Sequence, residues 1–87
     1  MFVIMVYDIE VERVAKVLKI ARRYLGHIQN SVFEGELTPA QLRSLQTAIR
    51  MVIEPAHDSV RYYVLRSTTY MQIVQEGTAR RETGNVL

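Results

Sequence analysis

One carboxylate stands where a short apolar stretch runs out. Met1 to Val6 are six apolar residues in a row, followed by Tyr7 and then Asp8. An uninterrupted apolar run rich in branched and aromatic types reads as a strand buried on both faces. Asp8 falls at its carboxyl end, where the ligands of open α/β sheets collect. Carboxylate oxygen suits a hard divalent cation. Asp is equally suited to cap a helix that begins shortly after, accepting a bond from the free amides of its first turn. Both uses stay open at this point. A single carboxylate is a thin Mg2+ site, but a twofold dimer that brings the strand ends together supplies a second Asp8.

Positive charge is the other chemical signal. Arg13, Lys16, Lys19, Arg22 and Arg23 crowd the segment after Asp8, and no acid occurs between Arg13 and Phe33. Arg43 and Arg50 lie in a second acid-free segment, between Glu36 and Glu54. Solvated helices usually mix signs to gain i,i+4 pairs. Two faces of one sign point to a polyanion, and nucleic acid gripped through its phosphates is the expected one. Ser31 has no His and acid at readable positions, so it reads as a strand-edge hydroxyl able to touch a phosphate or hold water. His27 and His57 lack metal-ligand spacing, and without cysteine neither disulfides nor thiolate sites arise. Tyr7, Tyr62, Tyr63 and Tyr70 are expected in the core or an interface.

The elements that position these groups follow from changes of period. After Asp8, Val14, Val17, Leu18, Ala21 and Leu25 recur at helical spacing, with Gly26 as the expected stop. His27 to Leu37 is strand-like and fits either a hairpin breaking near Asn30-Ser31 or one strand bent at Gly35. Thr38-Pro39 opens a second helix, Thr38 as cap and Pro39 at its first position. Leu42, Leu45, Ile49, Val52 and Ile53 make its stripe, and Pro55 is the expected end. Asp58-Ser59 starts a turn into the strand Val60 to Arg66.

The order β-α-β-β-α-β is the split βαβ plan of an α+β, ferredoxin-like sandwich, with both helices on one face of an antiparallel sheet. A core of residues 1–66 is followed by a strand and tail over 67–87. Thr69 to Gln75 alternates like one more strand, which needs an edge to pair with. A partner subunit's sheet supplies that edge, and the Val86-Leu87 pair is expected to anchor the tail.

Size supports association. At 87 residues the chain is at most one domain, and so small a core gains from oligomerisation. The apolar N-terminus is too short to span a bilayer and has no basic leader, so a cytoplasmic protein is expected, with no membrane partner. An RNA recognition module shares the βαββαβ plan, but its third strand presents basic and aromatic residues to bases. Here that strand carries Glu34 and Glu36, which repel phosphate.

Three stretches, Val6-Tyr7-Asp8-Ile9, Gly26 to Gly35 with its Gln29-Asn30-Ser31-Val32-Phe33-Glu34 run, and Asp58 to Tyr63, together resemble the CRISPR-associated protein two family, the small subunit of the spacer-acquisition machinery. The resemblance covers about residues 1–66. It implies a homodimer in which the final strand is exchanged into the partner's sheet. It implies that Asp8 of each subunit holds Mg2+, or another divalent cation such as Mn2+, at the dimer interface, with Tyr7, Ser31 and Phe33 flanking the site. It further implies a metal-dependent endonuclease of single-stranded RNA or double-stranded DNA, and a bridge between dimers of the CRISPR integrase that holds spacer DNA. The alternative is a DNA-binding scaffold without catalysis, using Arg13, Lys16, Lys19, Arg22, Arg23, Arg43 and Arg50. Many members carry two arginines just after the first strand and an arginine in place of His27; here the segment Glu10 to Arg13 offers one.

Overall fold

The computed structural model describes residues 1–77, and the Val86-Leu87 tail anchor lies outside them. Six elements run β1 (Phe2–Asp8), α1 (Val11–Ala21), β2 (Gly26–Gln29), β3 (Val32–Glu36), α2 (Pro39–Arg50) and β4 (Ser59–Leu65). The strands form one antiparallel sheet in the order β2-β3-β1-β4. This is the ferredoxin-like arrangement, with β1 central.

The burial of β1 alternates. Val3, Met5 and Tyr7 are buried beneath the helices, whereas Phe2, Ile4 and Val6 are only half-buried. The expected burial of β1 on both faces is therefore corrected: both helices lie on one side, and the other face of the sheet stays open within a single chain. Val17 and Ala21 of α1, Leu45 and Ile49 of α2, and Phe33 of β3 close the core over Val3 and Met5. Phe33, Met5, Leu45, Ile49, Val3 and Val17 are its largest fully buried side chains.

Element ends follow local chemistry. Thr38 accepts from the Gln41 amide at 3.1 Å while the Gln41 side chain accepts from the Thr38 amide at 2.9 Å, a complete capping box ahead of Pro39. α1 ends at Ala21, and Gly26 opens β2 instead of stopping the helix. Turn bonds from Arg23 to Ile20 and from Tyr24 to Ala21 have already tightened the chain. α2 ends at Arg50, ahead of Pro55, through Val52 and Ile53 amides that both return to Ile49. Asn30 and Ser31 form the hairpin turn, Asn30 at a φ of 34°, a conformation Asn tolerates better than most residues. The irregularity lies in β2, between His27 and Gln29, and not at Gly35. A Cβ at Gly35 would meet Leu25 Cδ2 at 3.3 Å, so its small size serves close packing.

The stretch 69–75, expected as a further strand, pairs with no strand among the described residues. Tyr70 is 99% exposed and Val74 71%.

Candidate functional site

Asp8 is the last residue of β1 and is exposed. It shares the open face of the sheet with Phe2, Ile4 and Val6, because strand side chains alternate. Its register partner on β4 is Ser59. The capping alternative for Asp8 is corrected: α1 begins at Val11 with Glu10 as its N-cap, and no side chain of that residue closes the first turn.

A shallow depression at this end of β1 is lined by Tyr7, Asp8, Ile9, Val14, Leu18, Asn30 and Ser31. Tyr7 builds its far wall. Its amide donates to the Ser31 carbonyl at 3.1 Å, and its hydroxyl donates to the Asn30 carbonyl at 2.8 Å. His27 Nε2 also lies 2.7 Å from the Asn30 carbonyl oxygen. The imidazole stacks on Phe33 with centroids 4.4 Å apart, and Tyr7 tilts against the same ring at 6.0 Å. The hairpin turn is thus tied to the tip of β1, which brings Ser31 beside Asp8. Phe33 is fully buried, so it supports the depression from below and does not line it.

Behind Asp8 lies a cluster that local patterns do not reveal. The Asp58 side chain has no exposure. Its Oδ1 accepts from the Glu10 amide at 2.9 Å and from Arg13 Nη2 at 2.9 Å. Its Oδ2 accepts from the Glu54 amide at 2.8 Å and from Arg13 Nε. Arg13 therefore grips one carboxylate with two donors, the strong geometry for such pairs. The Arg13 guanidinium, helped by the two amides, holds the Asp58 carboxyl well below the usual carboxylate range, against the opposing effect of burial. Asp58, expected to start a turn, is instead the joint between the β1–α1 connection and the approach to β4.

This corrects one member of the basic surface. Arg13 was expected to face nucleic acid, but its side chain is 18% exposed and engaged by Asp58 and Glu12. Lys16, Lys19, Arg22, Arg23, Arg43 and Arg50 are all exposed. Lys16, Lys19 and Arg23 keep i, i+3, i+7 spacing, so one stripe continues from α1 into the turn after it. α1 and α2 pack beside one another on the same side of the sheet, and the stripe and the α2 arginines lie on that helical layer. Glu34 and Glu36 sit opposite Ile4 and Phe2, on the open face, so the acids and the helical cations occupy opposite sides of the molecule.

No group of three or more His, Cys, Asp or Glu side chains among the described residues comes together as a metal cluster. The residues lining the depression that carry side-chain oxygen are Tyr7, Asp8, Asn30 and Ser31, and Asp8 is the one carboxylate among them. Hard oxygen is the right class for Mg2+ or Mn2+, and Asp58, already saturated by donors, cannot add to it. One chain therefore offers the right chemistry with one negative charge.

A four-stranded antiparallel sheet with two helices on one face defines a ferredoxin-like domain, here with an acid at the tip of its central strand. Residues 1–73 match the family described as CRISPR associated protein Cas2, and the chain belongs to that family. A protein of Thermotoga maritima named CRISPR-associated endoribonuclease Cas2 is 46% identical over 84 residues, covering 97% of each chain. One of the same name from Methanosarcina acetivorans is 39% identical over the full length of both. Among solved structures, a Cas2 crystal structure superposes with a TM-score of 0.81 at 40% identity, covering 92% of this chain and 90% of the other. Cas2 of Streptococcus pyogenes at pH 6.5 gives 0.75 at 30% identity, covering 88% and 100%. No helix among the described residues is long and apolar enough to cross a membrane.

Proposed function

We propose that this chain is a divalent-metal-dependent endoribonuclease that acts as a homodimer, with Asp8 of both subunits forming one site. The observation that carries this is the position of Asp8: exposed, at the carboxyl end of the central strand, on the open face of the sheet, beside Ser31. The naming of relatives at 39–46% identity as endoribonucleases gives the direction. The half-buried row Phe2, Ile4, Val6, with Tyr63 47% exposed next to it, is an apolar strip bordered by Glu34 and Glu36 that a second copy covers. Residues 69–75 then pair with the partner's sheet edge.

In this arrangement the two Asp8 carboxylates would hold Mg2+ or Mn2+, whose chemistry when bound would be water activation and charge stabilisation at a phosphate. The protein's own groups position the nucleic acid. Ser31 donates to a phosphate oxygen, Tyr7 and the hairpin turn fix the wall against which the chain lies, and the helical cations neutralise the backbone. A site with two carboxylates is slow. Purified protein incubated with single-stranded RNA and Mn2+ is expected to cleave it, and Asp8→Ala to abolish cleavage with its circular dichroism unchanged. Wild-type rates from Asp8→Ala remove the proposal.

A second reading is favoured by a separate observation, the exposed cations of the helical layer. It is a scaffold that holds spacer DNA and bridges integrase dimers during spacer acquisition. It needs Lys16, Lys19, Arg23, Arg43 and Arg50 but not Asp8. Spacer integration that survives Asp8→Ala and falls with the helical substitutions supports it; the reverse pattern removes it.

A further inference from the structure

The joint behind Asp8 is built more completely than a surface loop requires. Asp58 is the one buried charged residue among those described, and its two oxygens receive four donors. Those donors come from Glu10, two residues beyond Asp8, from Arg13 in the first turn of α1, and from Glu54 in the loop that leads to β4. Arg13 and Val14 amides return to the Glu10 carbonyl at 2.9 and 3.1 Å, so Glu10 is held through both its amide and its carbonyl. The amides of His57 and Asp58 return to the Glu54 carbonyl at 2.8 Å each. Asp8 itself pairs with Ser59, the next residue after Asp58. The tip of β1 is thereby fixed on two sides, along the chain through Glu10 and across the sheet through Ser59. The first of these runs through the Asp58 carboxylate, and the second is the backbone ladder of the residue that follows it.

We infer that Asp58, with Arg13, is the positioning pair of the Asp8 site: it sets where the Asp8 carboxylate stands and touches neither nucleic acid nor metal. The inference rests on the reading of Asp8 as a metal-holding residue. Its physical basis is that reacting groups misplaced by about 1 Å lose on the order of 100-fold in rate, and Asp58 fixes the connection by which the chain leaves the tip. Asn at position 58 keeps the shape, but its amide nitrogen turns one acceptor position into a donor, so Arg13 loses one of its two acceptors together with the amide of either Glu10 or Glu54. Lys at position 13 keeps the charge and loses the two-pronged grip.

The test compares wild type, Asp8→Ala, Asp58→Asn and Arg13→Lys as purified full-length chains. Single-stranded RNA cleavage is measured across RNA and Mn2+ concentrations, and Mn2+ binding in the absence of RNA is read from the resonance of the free ion. Asp58→Asn is expected to lower kcat by about 10- to 100-fold, with KM for RNA within threefold of wild type. Half-saturating Mn2+ is expected to rise in both measurements, and Arg13→Lys to fall in between. Partial unfolding also raises half-saturating Mn2+, by the inverse of the folded fraction, so both measurements are made where urea curves show each variant more than nine-tenths folded, and a rise beyond the small factor that fraction allows separates positioning from stability. If Asp58→Asn does not fold, Arg13→Lys carries the same comparison. A folded variant with wild-type kcat and wild-type Mn2+ affinity, beside an inactive Asp8→Ala, overturns the positioning role and leaves the Asp8 reading standing. An active Asp8→Ala overturns that reading, and the positioning role falls with it.

Discussion

Replacing Tyr62 by Phe removes one oxygen from the interior of the domain, and the direction of its effect is unusual. Tyr62 lies on β4 opposite Met5, on the helix-facing side of the sheet, and its hydroxyl is buried with no hydrogen-bond partner. An unsatisfied buried polar group costs about 1–3 kcal/mol. Removing it is therefore expected to stabilise the protein by about 1 kcal/mol, which for a domain of this size raises Tm by about 4–8 °C. The same burial pushes the phenol up to about 12, against a smaller opposing pull from Arg50. Because the folded state resists ionisation, the stability tied to a neutral Tyr62 is fully present below about pH 10, the ordinary value for tyrosine. It is lost as pH rises from about 10 to about 12. A displacement of that size corresponds to at most about 2.7 kcal/mol, and the partial exposure of the ring reduces it to about 1 kcal/mol. The advantage of Tyr62→Phe over wild type should thus grow from about 1 kcal/mol at neutral pH to about 2 kcal/mol near pH 12. Urea denaturation followed by circular dichroism, at one fixed protein concentration to hold any association constant, reads both values. A Tyr62→Phe protein less stable than wild type at neutral pH, or an advantage that does not grow with pH, refutes the reasoning.

Three further outcomes are expected. Thr38→Ala opens the capping box of α2 and should cost about 1 kcal/mol, read from the same urea curves. Lowering pH should remove the contribution of the Asp58–Arg13 pair: a carboxylate held below its ordinary range stabilises the fold above about pH 4 and ceases to as pH falls through its folded value. Acid unfolding followed by circular dichroism should therefore show a shallower limb in Asp58→Asn. The affinity for RNA should fall linearly on a log–log plot against salt, and Lys16→Ala with Lys19→Ala should reduce that slope by about 2. Fluorescence anisotropy of a labelled strand measures this, and an unchanged slope counts against phosphate contact at these two lysines.

The chain's local patterns foretell the elements better than their surroundings. Thr38-Pro39 and the stripe through Leu45 and Ile49 announce α2, since capping and periodicity both act within a few residues. The tip of β1 is legible for the same reason, and Asp8 stands there. The expectation that β1 is covered on both sides went too far, because an apolar run records that a face must be covered but not by what. Val3 and Met5 are covered by the chain's own helices; Phe2, Ile4 and Val6 are not. Asp58 was missed because its partners Glu10 and Arg13 lie 48 and 45 residues away, and Asp-Ser ahead of a strand has the composition of an ordinary turn. Arg13 was misplaced on the same ground: a basic residue in an acid-free segment looks solvated until its distant partner is known. The one available signal was the single acid directly before β4, in a chain whose other acids mostly sit in exposed segments.

The carboxylate at Asp58 also bears on the order in which the molecule can be made. The strand that carries Asp8 is synthesised before β3 and β4, and its hairpin contacts through Tyr7 and Asn30 are available once β3 has emerged. The joint at Glu10 and Arg13 is not, because its acceptor arrives about fifty residues later. A nascent chain that has reached β3 but not β4 therefore carries the acid but not the frame around it. Closing so long a loop is slow compared with forming a local turn. The tip of β1 takes its final form only as β4 docks, so chains cut short before β4 carry Asp8 without that frame.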